Sequence, residues 1–439
     1  MNLTHPRKFV SKLPFLLLIL ALETLVLGDD WPQWRGPQRD GVWRETGIVS
    51  QFDSRVATPV WRAEVGSGYS GPTVSKGKVY LTSRLEKPEQ VEQVHCFDEA
   101  TGSVIWTFQY PCEYFDIGYP LGPRGAVAIS DGKAYALGAM GHFHSLDANT
   151  GEVLWKKDFV NDYETRMPTW GITSAPLVDD QHVYLQVGGQ PDAVIMAFDK
   201  NSGEEAWRAL DGTASYSAPR FFEQAGKRLI LVWTADWFAA LDPATGEAAW
   251  KHPFEKAKGV INVPDAVIDY AGNRIFLTSF YDGSYLYAFD PNKLESELLW
   301  KRKGINERKT DALHTMIMTS VIRGDYVYGL DSYGEMRCLD LRNGDRVWED
   351  QTLIDKGRWG TAFFIPNGDK TWMFTENGEL VIGTLSPDGF EALSKTKILE
   401  PTTFLPNRSG NILWSHPAFA NKRIYARNDK ELVCVDLAE

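Results

Sequence analysis

Three histidines stand at related positions and are the side chains of this sequence that first suggest metal binding. His142 and His144 alternate along one predicted strand and therefore face the same side of a sheet. His95 precedes Asp98 by three residues, as His144 precedes Asp147. No carboxylate or cysteine stands at a spacing that would complete a tetrahedral ligand set. We therefore expect no metal site.

The four cysteines predict structural rather than redox chemistry. Cys96, Cys338 and Cys434 each stand two residues before an aspartate of a repeated phrase, where other copies have Ser or Ala. Cysteine in such a position acts as a small apolar side chain, and equivalent positions of neighbouring repeats are generally too far apart for a disulfide. Cys112 has no counterpart. The sequence contains neither a vicinal Cys-Cys pair nor a Cys-x-x-Cys-His haem motif.

The repeated phrase consists of an apolar residue, Asp, a short loop that usually contains Gly, an apolar residue and Trp. In the copy Leu146–Trp155 the Asp can accept N–H groups of the turn, and the Gly supplies the positive φ of a hairpin loop. The Trp is large enough to reach a neighbouring unit. Residues repeated in nearly every copy serve turns and docking, so the aspartates are poor catalytic candidates. The predicted docking residues are Asp98, Trp106, Asp147, Trp155, Asp199, Trp207, Asp242, Trp250, Asp290, Trp300, Asp340, Trp348, Asp436 and Trp61.

The spacing of the phrase predicts a β-propeller. Successive docking tryptophans from Trp61 to Trp348 are 43 to 52 residues apart, and a strand-rich period of that size indicates blades, because one four-stranded sheet cannot bury its own faces. Hairpin patterns with a Gly/Asp turn occur eight times between residues 70 and 427, whereas the docking turn has six clear copies and a degenerate seventh at 385–393 that lacks Trp. We expect an all-β fold, an eight-bladed β-propeller of four-stranded antiparallel blades.

The eighth blade is predicted to be shared between the two ends of the chain. The segment Leu432–Asp436 reaches its Asp without a following strand, and Trp61 stands on a strand without a preceding one. Pairing these strands would remove two exposed sheet edges and close the ring. Residues 58–439 are therefore predicted to form one propeller domain.

Residues 1–28 have the pattern of a secretion signal. Three basic residues precede an apolar stretch over 15–22, and small residues indicate cleavage after Gly28. The alternative, a retained membrane anchor, is disfavoured because Glu23 interrupts an apolar run already shorter than the roughly 20 residues of a span. Since no cysteine is available for lipid attachment, we expect a periplasmic or secreted protein with no membrane span after signal cleavage.

The charge balance limits the choice of partners. The formal net charge is −12 and becomes more negative when the basic signal is removed. A strongly acidic exported protein is poorly suited to nucleic acid or to anionic lipid surfaces. We expect a monomer that binds a protein partner or an extracellular small ligand.

Residues 29–57 form an irregular segment that precedes the first blade. Its Pro and Gly residues exclude a long helix, and Trp31, Trp34 and Trp43 predict that it packs as an arm on the propeller. Arg35 and Arg39 either grip a ligand or, as is commoner for arginines in such loops, are solvated or cap backbone carbonyls.

Side chains that bind ligands in propellers usually lie on the loops that enter the innermost strands, around the central channel. Here these loops carry non-repeating aromatic, basic and amide side chains, which suit a planar or sugar-like ligand or a peptide. The alternative is that they plug the channel and cap strands. The candidate residues are Tyr69, Arg124, Trp170, Tyr216, Asn262, His314, Arg358, Trp359, Trp414 and His416.

The Asp-x-x-Thr-Gly-x-x-x-Trp turns at 98–106, 147–155 and 242–250 resemble the tryptophan-docking motif of pyrroloquinoline-quinone (PQQ) repeat propellers. That superfamily contains quinoprotein alcohol dehydrogenases and BamB-type outer-membrane assembly factors. The resemblance covers essentially all of the chain after the signal. The segments 30–41 and 414–436 further resemble a group of secreted bacterial PQQ-like propellers.

The resemblance implies two alternative functions. Quinoprotein dehydrogenases hold PQQ between a Trp and a vicinal Cys-Cys pair, with calcium bound by Glu, Asn and Asp beside a catalytic Asp. This chain lacks the Cys pair, and none of its positions can be assigned to the calcium ligands or the catalytic Asp. BamB-type proteins are lipid-anchored, and the accepting cysteine is absent here. We expect a non-catalytic binding scaffold without a cofactor; the alternative is a dehydrogenase of alcohols or sugars that uses PQQ and calcium.

Overall fold

The computed structural model describes Met1 and residues 29–256, 258–406 and 408–439. The predicted secretion signal lies, apart from Met1, outside the described residues. The described chain is almost entirely strand, with one short helix, α1 (Phe159–Tyr163).

Eight four-stranded antiparallel sheets form the blades, and in seven of them the strands follow chain order from the innermost to the outermost. The first four complete blades are blade 1, with β2 (Thr73–Ser75), β3 (Lys78–Leu85), β4 (Val91–Asp98) and β5 (Val104–Pro111); blade 2, with β6 (Ala128–Ser130), β7 (Lys133–Leu137), β8 (His142–Asp147) and β9 (Val153–Asp158); blade 3, with β10 (Leu177–Val178), β11 (His182–Gly189), β12 (Ala193–Asp199) and β13 (Glu205–Ala209); and blade 4, with β14 (Arg220–Gln224), β15 (Lys227–Trp233), β16 (Trp237–Leu241) and β17 (Ala248–Pro253).

The remaining blades continue the same order around the ring. They are blade 5, with β18 (Val267–Asp269), β19 (Arg274–Ser279), β20 (Gly283–Phe289) and β21 (Ser296–Arg302); blade 6, with β22 (Val321–Arg323), β23 (Tyr326–Leu330), β24 (Met336–Asp340) and β25 (Arg346–Asp350); blade 7, with β26 (Ala362–Asn367), β27 (Lys370–Thr375), β28 (Glu379–Ser386) and β29 (Gly389–Lys397); and blade 8, with β32 (Ala418–Ala420), β33 (Arg423–Arg427), β34 (Glu431–Asp436) and β1 (Trp61–Glu64). A small hairpin, β30 (Thr403–Phe404) and β31 (Asn411–Ile412), connects blades 7 and 8.

Blade 8 is completed from both ends of the described chain, as predicted. Strand β1 pairs antiparallel with β34, with Trp61 opposite Cys434 and Glu64 opposite Glu431. An exposed ion pair of 2.7 Å between Arg62 and Glu431 spans the same two strands. The expectation of an eight-bladed propeller closed by these strands is confirmed.

The repeated tryptophans dock each blade onto the next. In five blades the indole N–H donates a hydrogen bond of 2.7 to 3.2 Å to the carbonyl one residue after the Asp of the following blade. The pairs are Trp61–Glu99, Trp106–Ala148, Trp155–Lys200, Trp207–Pro243 and Trp300–Leu341. The Asp carboxylates accept N–H groups of their own turns, as Asp147 does from Asn149 and Thr150 at 2.8 and 2.9 Å.

The turn glycine makes room for the docking tryptophan. A Cβ built on Gly151, which has φ of +77°, would lie 2.7 Å from the ring of Trp106. Gly203 and Trp155 have the same relationship. The Gly of the phrase is therefore required both for the turn and for the contact between blades.

Three interfaces between blades depart from this pattern. Between blades 6 and 7, Trp348 donates to the Ser386 carbonyl at 2.9 Å. The turn of blade 5 lacks the glycine, and Trp250 donates instead to the Gln224 side-chain carbonyl at 2.8 Å. The Gln224 amide N–H groups in turn reach the carbonyls of Asp290, Lys293 and Glu295 at 2.7 to 3.0 Å. A single glutamine thus holds a longer turn in place of the glycine.

The outermost strand of blade 7 carries no tryptophan, and residues 43–57 fill the corresponding interface with blade 8. The Trp43 ring is 1% exposed and lies edge-on to Trp372 of blade 7, with centroids 5.1 Å apart, and 4.9 Å from Phe419 of blade 8. The backbone of Arg55 and Ala57 pairs with Lys397 of β29. The segment before β1 therefore supplies an aromatic side chain where the repeat lacks one.

Residues 29–43 lie across the face of the ring at which the innermost strands end, which we call the bottom face. Trp31 pairs with Val74, and the Pro32 carbonyl accepts from Ile129 at 2.8 Å. Arg39 donates to the carbonyls of Ala175 and Pro176 at 3.2 and 2.8 Å. The opposite face, where the chain enters the innermost strands, is the top face.

Candidate functional site

A cavity with aromatic walls lies at the centre of the ring, where the eight blades meet. It contains about 900 Å³ of space between protein atoms, part of it open to solvent. Every blade contributes to its wall through the residues just before or at the start of the innermost strand. Seven of the ten predicted channel residues line it: Tyr69, Arg124, Trp170, Tyr216, Trp359, Trp414 and His416.

A ring of aromatic side chains forms the mouth of this cavity on the top face. Tyr119, from the loop between blades 1 and 2, lies edge-on to Trp359 and Trp414, with centroids 5.3 and 5.4 Å apart. Trp170 stands 5.0 Å from Tyr216 on the neighbouring blade and 6.4 Å from Trp359. Edge-to-face contacts at these distances hold the rings in fixed orientations.

Arg124 positions the loop that carries Tyr119. Its guanidinium donates to the carbonyls of Gly118, Tyr119 and Gly122 at 2.7 to 2.8 Å and lies 5.0 Å from the centroid of the Tyr69 ring. Burial lowers the pKa of Arg124, opposed mainly by the neighbouring Tyr69. Because its donors are occupied by the loop, Arg124 supports the mouth structurally.

The mouth also contains hydrogen-bond donors that lack acceptors. The indole N–H groups of Trp359 and Trp414 and the Nε–H of Arg358 have no partner among the described residues. Arg358 does not line the cavity directly; its guanidinium stacks 4.6 Å from the Trp359 ring and contacts the Tyr281 hydroxyl at 3.5 Å. Unpaired donors next to aromatic faces favour a ligand that carries oxygen acceptors.

Trp34 of the bottom-face segment forms the floor of the cavity. Its indole N–H donates to Oδ2 of Asp265 at 2.5 Å, and the backbone N–H of Ala218 donates to Oδ1 at 3.0 Å. The Trp34 ring lies edge-on to His416, with centroids 4.5 Å apart. His416 Nε2 accepts from the Gly71 backbone at 2.9 Å, and burial lowers the His416 pKa to about 4, so this imidazole is neutral at pH 7.

Asn262 and His314 do not reach the cavity. Asn262 is 1% exposed and donates to the Thr234 carbonyl at 3.1 Å. His314 is fully buried between the Phe280 carbonyl and the Thr310 hydroxyl, at 2.9 and 3.1 Å. Both side chains stabilise loops of the top face, which is the strand-capping role considered as the alternative for these positions.

Among the cavity residues that the sequence reasoning missed, three shape its floor, mouth and wall. Trp34 was assigned to the arm, Tyr119 lies in a connection without repeat pattern, and Asp265 stands two residues before β18. A signal was available for Asp265, because it is an acidic residue at the start of an innermost strand where blades 3 and 4 have Ala175 and Ala218.

The histidines considered for metal binding lie in separate polar environments. His95 contacts the hydroxyls of Ser83 and Thr107 at 2.8 and 3.0 Å. The His144 ring lies 4.4 Å from that of Tyr110. Burial lowers the pKa of both imidazoles to about 4. Within the described ranges, no group of three or more His, Cys, Asp or Glu side chains is arranged to hold a metal ion.

The donor set around the cavity does not fit calcium-bound PQQ. Asp265 is the acidic side chain of the wall, and both its oxygens already accept hydrogen bonds from Trp34 and Ala218. A hard cation such as calcium needs six to eight oxygen ligands. All four cysteines are buried free thiols. The aromatic walls would suit a planar ring, but the residues for the ion and for the disulfide support are not present in the described cavity.

In the part of the chain that the structure describes, no helix has the length and apolar character needed to cross a membrane.

Comparison with known proteins matches the repeat region to one family. The family model described as outer membrane protein assembly factor BamB matches residues 45–117 and 90–350. BamB of Shewanella oneidensis is 23% identical over 391 residues, covering 80% of this chain and 87% of that protein. BamB of Yersinia pestis is 21% identical over 278 residues, covering 58% of this chain and 64% of that protein, so this match spans slightly less than two thirds of its length.

Quinoprotein dehydrogenases are related over shorter stretches. The quinohemoprotein alcohol dehydrogenase of Comamonas testosteroni is 30% identical over 181 residues, which is 38% of this chain and 23% of that protein. Among solved structures, BamB from Moraxella catarrhalis superposes with a TM-score of 0.56 at 18% identity, covering 85% of this chain and 97% of that one. The quinohemoprotein alcohol dehydrogenase ADHIIG from Pseudomonas putida HK5 gives 0.62 at 13% identity, covering 93% and 80%.

These structural likenesses establish the shared propeller, and the sequence match over most of the described chain establishes the family. The chain belongs to the BamB family of PQQ-like β-propellers within the quinoprotein superfamily.

Proposed function

We propose that this protein is a non-catalytic binding scaffold that holds a segment of a partner protein in the aromatic mouth of its top face. The observation that carries the proposal is the mouth itself. Tyr119, Trp170, Trp359 and Trp414 form a ring of apolar surface, and unpaired N–H donors of Trp359, Trp414 and Arg358 lie beside it.

A polypeptide segment matches this combination of groups. Its side chains can stack on the aromatic rings, and its backbone carbonyls are acceptors for the unpaired donors. Small-molecule sites also combine apolar walls with a few polar groups. The family supports a protein ligand, because its model and its relatives are described as outer membrane protein assembly factors.

Exposed apolar side chains on the loops between blades favour a protein partner further. Phe115, Ile305 and Phe404 lie on top-face loops that connect neighbouring blades and are 56%, 85% and 70% exposed. Aromatic and aliphatic side chains that project from loops are typical anchors of protein interfaces. They extend the binding surface beyond the dimensions of a small ligand.

The periplasm is the compartment that we propose. The predicted secretion signal and the assembly-factor relatives both support a site of action outside the cytoplasm. The partner would then be another exported protein.

We also propose that the protein works without PQQ. A titration of the purified chain with PQQ and Ca²⁺, followed by tryptophan fluorescence, tests this directly because Trp34, Trp170, Trp359 and Trp414 surround the cavity. We expect no saturable quenching. Saturation near one equivalent would contradict the proposal and favour the alternative, a dehydrogenase of alcohols or sugars.

Site-specific photocrosslinking in the native compartment tests the binding proposal. A photoreactive phenylalanine analogue is placed at Phe115, on the top face, or at Val104, on the outermost strand of blade 1; both residues are 56% exposed. We expect a discrete adduct of defined mass from position 115 and none from position 104. The Trp359→Ala substitution should weaken the adduct, because it removes one wall of the mouth.

Equal adduct formation at positions 115 and 104 would contradict the top face as the binding surface. An adduct at position 115 that Trp359→Ala leaves unchanged would show that the partner contacts the loops without using the mouth. Circular dichroism of the purified variants, compared with the unsubstituted chain, distinguishes loss of binding from loss of folding.

A further inference from the structure

Three buried arginines meet one buried carboxylate where the bottom-face segment crosses the channel. Arg39 is 3% exposed, Arg220 is 8% exposed, and the side chain of Arg35 is 12% exposed. The carboxylate that they share is Asp265. In a chain of net charge −12, this junction is a local concentration of positive charge.

The charge of this cluster is not balanced by its own acidic groups. Asp265 accepts from Trp34 and Ala218, and Nη1 of Arg35 stands 3.7 Å away from it, beyond hydrogen-bond distance. Asp40, the next carboxylate along the chain, also attracts Arg35 and Arg220 but pairs with the exposed Arg44. Three guanidinium groups around the Asp265 carboxylate leave an excess of buried positive charge, which is unfavourable.

Hydrogen-bond donors of the cluster also lack partners. Arg35 Nη1 and Arg220 Nε are buried and have no acceptor among the described residues, and the same holds for the indole N–H of Trp31. Buried donors of a native structure normally have an acceptor, whether protein, water or ion. All the unmet groups here are donors, which is the pattern expected around an anion.

A small cavity adjoins Arg35 and Trp31, whereas Arg39 and Arg220 are not among the residues that line it. It is lined by Trp31, Trp34, Arg35, Thr319, Phe363 and His416, among others, and contains about 380 Å³ of space between atoms. None of the described residues that line it is acidic. Burial lowers the pKa of Arg39 and Arg220 to about 10, so both guanidinium groups remain charged at pH 7.

The backbone of this segment is held in an unusual conformation. Arg35 and Arg39 have φ of +59° and +51°, in the left-handed region that costs a non-glycine residue roughly 1 kcal/mol. Gly41 is also left-handed, and a Cβ there would lie 3.0 Å from the Arg35 guanidinium. Strained residues of this kind persist where the surroundings determine their position, and here they turn two guanidinium groups inward.

We propose that this junction is a binding site for a small anion, of the size of chloride, formate or phosphate, coordinated in this cavity by Arg35 and the indole N–H of Trp31. Guanidinium groups bind halides, carboxylates and phosphates through charge-assisted hydrogen bonds. The anion fastens the bottom-face segment, and with it the Trp34 floor of the channel, onto the propeller. This site is separate from the top-face mouth and does not depend on the function proposed for it.

Thermal unfolding in defined salts tests the site. The midpoint Tm is measured with increasing sodium chloride, sodium formate or sodium phosphate. Each is compared, at the same ionic strength, with the sodium salt of a bulky sulfonate buffer. We expect at least one small anion to raise Tm saturably, by about 2 °C or more, because a ligand that binds only the folded state stabilises it. The three salts distinguish halide, carboxylate and phosphate.

Matched variants assign the effect to this cluster. Arg35→Gln is expected to abolish the saturable rise, and Arg35→Lys, which keeps the charge but loses the planar fork, to weaken anion affinity at least about tenfold. Arg342→Gln removes an exposed arginine that pairs with Asp340 and should retain the full response. The readout is the response to anion, so a lower starting Tm of a variant does not obscure it.

Crystals grown in bromide give an independent measurement. An anomalous peak in the cavity beside Arg35 and Trp31 would support the site. Equal Tm values in small and bulky anions at matched ionic strength, an unchanged response of Arg35→Gln, or the absence of a bromide peak at a concentration that raises Tm would overturn it.

Discussion

The indole N–H of Trp34 donates a hydrogen bond of 2.5 Å to the carboxylate of Asp265, although the two residues are 231 positions apart in the chain. Trp34 belongs to the segment that crosses the bottom face, and Asp265 stands just before the innermost strand of blade 5. This contact attaches the segment to the ring and places an indole at the floor of the central cavity.

Asp265→Asn should therefore destabilise the protein by about 3 kcal/mol. The substitution preserves side-chain volume but removes the carboxylate shared by three buried arginines, and breaking a buried ion pair costs roughly 3 to 5 kcal/mol. Urea unfolding measures the change. Asp211→Asn is the matched control, because Asp211 also accepts from an indole, that of Trp237 at 2.9 Å, but at an exposed site. Its cost should stay below about 1 kcal/mol; similar costs for both variants would refute the special role of Asp265.

Gly151→Ala should cost about 2 to 4 kcal/mol, because the new methyl group would overlap the Trp106 ring as well as occupy a left-handed backbone. Gly132→Ala provides the comparison. Gly132 has φ of +75°, close to the +77° of Gly151, but a Cβ there meets nothing within 4 Å. Its cost should be about 1 kcal/mol, and the difference between the two free energies of unfolding measures the docking contact. Indistinguishable values would mean that the tryptophan moves away at no cost.

Gln224→Ala should destabilise the protein by about 3 kcal/mol. It leaves the Trp250 indole N–H and three carbonyls of the blade 5 turn without their partner, and each unsatisfied buried group costs roughly 1 to 3 kcal/mol unless water replaces the bond. Gln351→Ala is the control, since Gln351 is an exposed residue that donates to two carbonyls at 3.0 Å. Chemical denaturation should rank Gln224→Ala well above it; the reverse order would show that the turn is held by other contacts.

Stability should decline as the pH falls from about 6.5 to about 4. Burial lowers the pKa of His95, His144, His314 and His416 from 6.5 to about 4. A group with a depressed pKa in the folded state contributes stability above its unfolded pKa and loses this contribution as the pH falls through its folded pKa. Unfolding in this range should therefore take up protons.

His144→Phe isolates one of these groups. The ring packs against Tyr110 and Phe108, and its Nδ1 has no hydrogen-bond partner, so an apolar ring can replace it. Near pH 5 the variant should take up about one proton fewer on unfolding, measured as a shallower dependence of the unfolding free energy on pH. An unchanged slope would show that His144 titrates normally. Carboxylates that titrate in the same range affect both proteins equally.

The ring itself was predictable because its information is local and repeated. Each copy of the Asp–Gly–Trp phrase specifies a turn and a side chain that reaches the next blade, so position in the repeat determines position in the ring. The same register explains the cysteines: Cys96, Cys338 and Cys434 lie directly opposite docking tryptophans in the adjoining strand. A small side chain is needed opposite each docking tryptophan, because the indole at that position turns toward the neighbouring blade.

The channel was predictable in part. Most predicted residues reach it because the chain enters every innermost strand at the same face. Asn262 and His314 stand on the same loops, but their side chains turn into the protein and bind backbone carbonyls. Those carbonyls belong to neighbouring blades, whose position the local sequence does not specify. Trp34 and Tyr119 reach the cavity from segments without periodicity, and a single sequence carries no signal for such contacts. The use of Gln224 in place of the turn glycine of blade 5 is another contact without a sequence signal, because the carbonyls that Gln224 binds are about 70 residues away.

The shared eighth blade determines when the native ring can form. Strands β1 and β34 are joined by the Arg62–Glu431 pair across 369 positions, so the sequence separation of this pairing is close to the length of the whole domain. A chain that emerges with its N-terminus first can assemble blades 1 to 7 from neighbouring hairpins, but Trp61 has no strand to pair with until β34 has emerged. Closure is then a late, all-or-none step that comes after the local hairpins have formed. Until it occurs, the open edges of β1 and β34 are exposed to other chains, so a chaperone that holds these two edges apart from other proteins would act at the most vulnerable stage of folding.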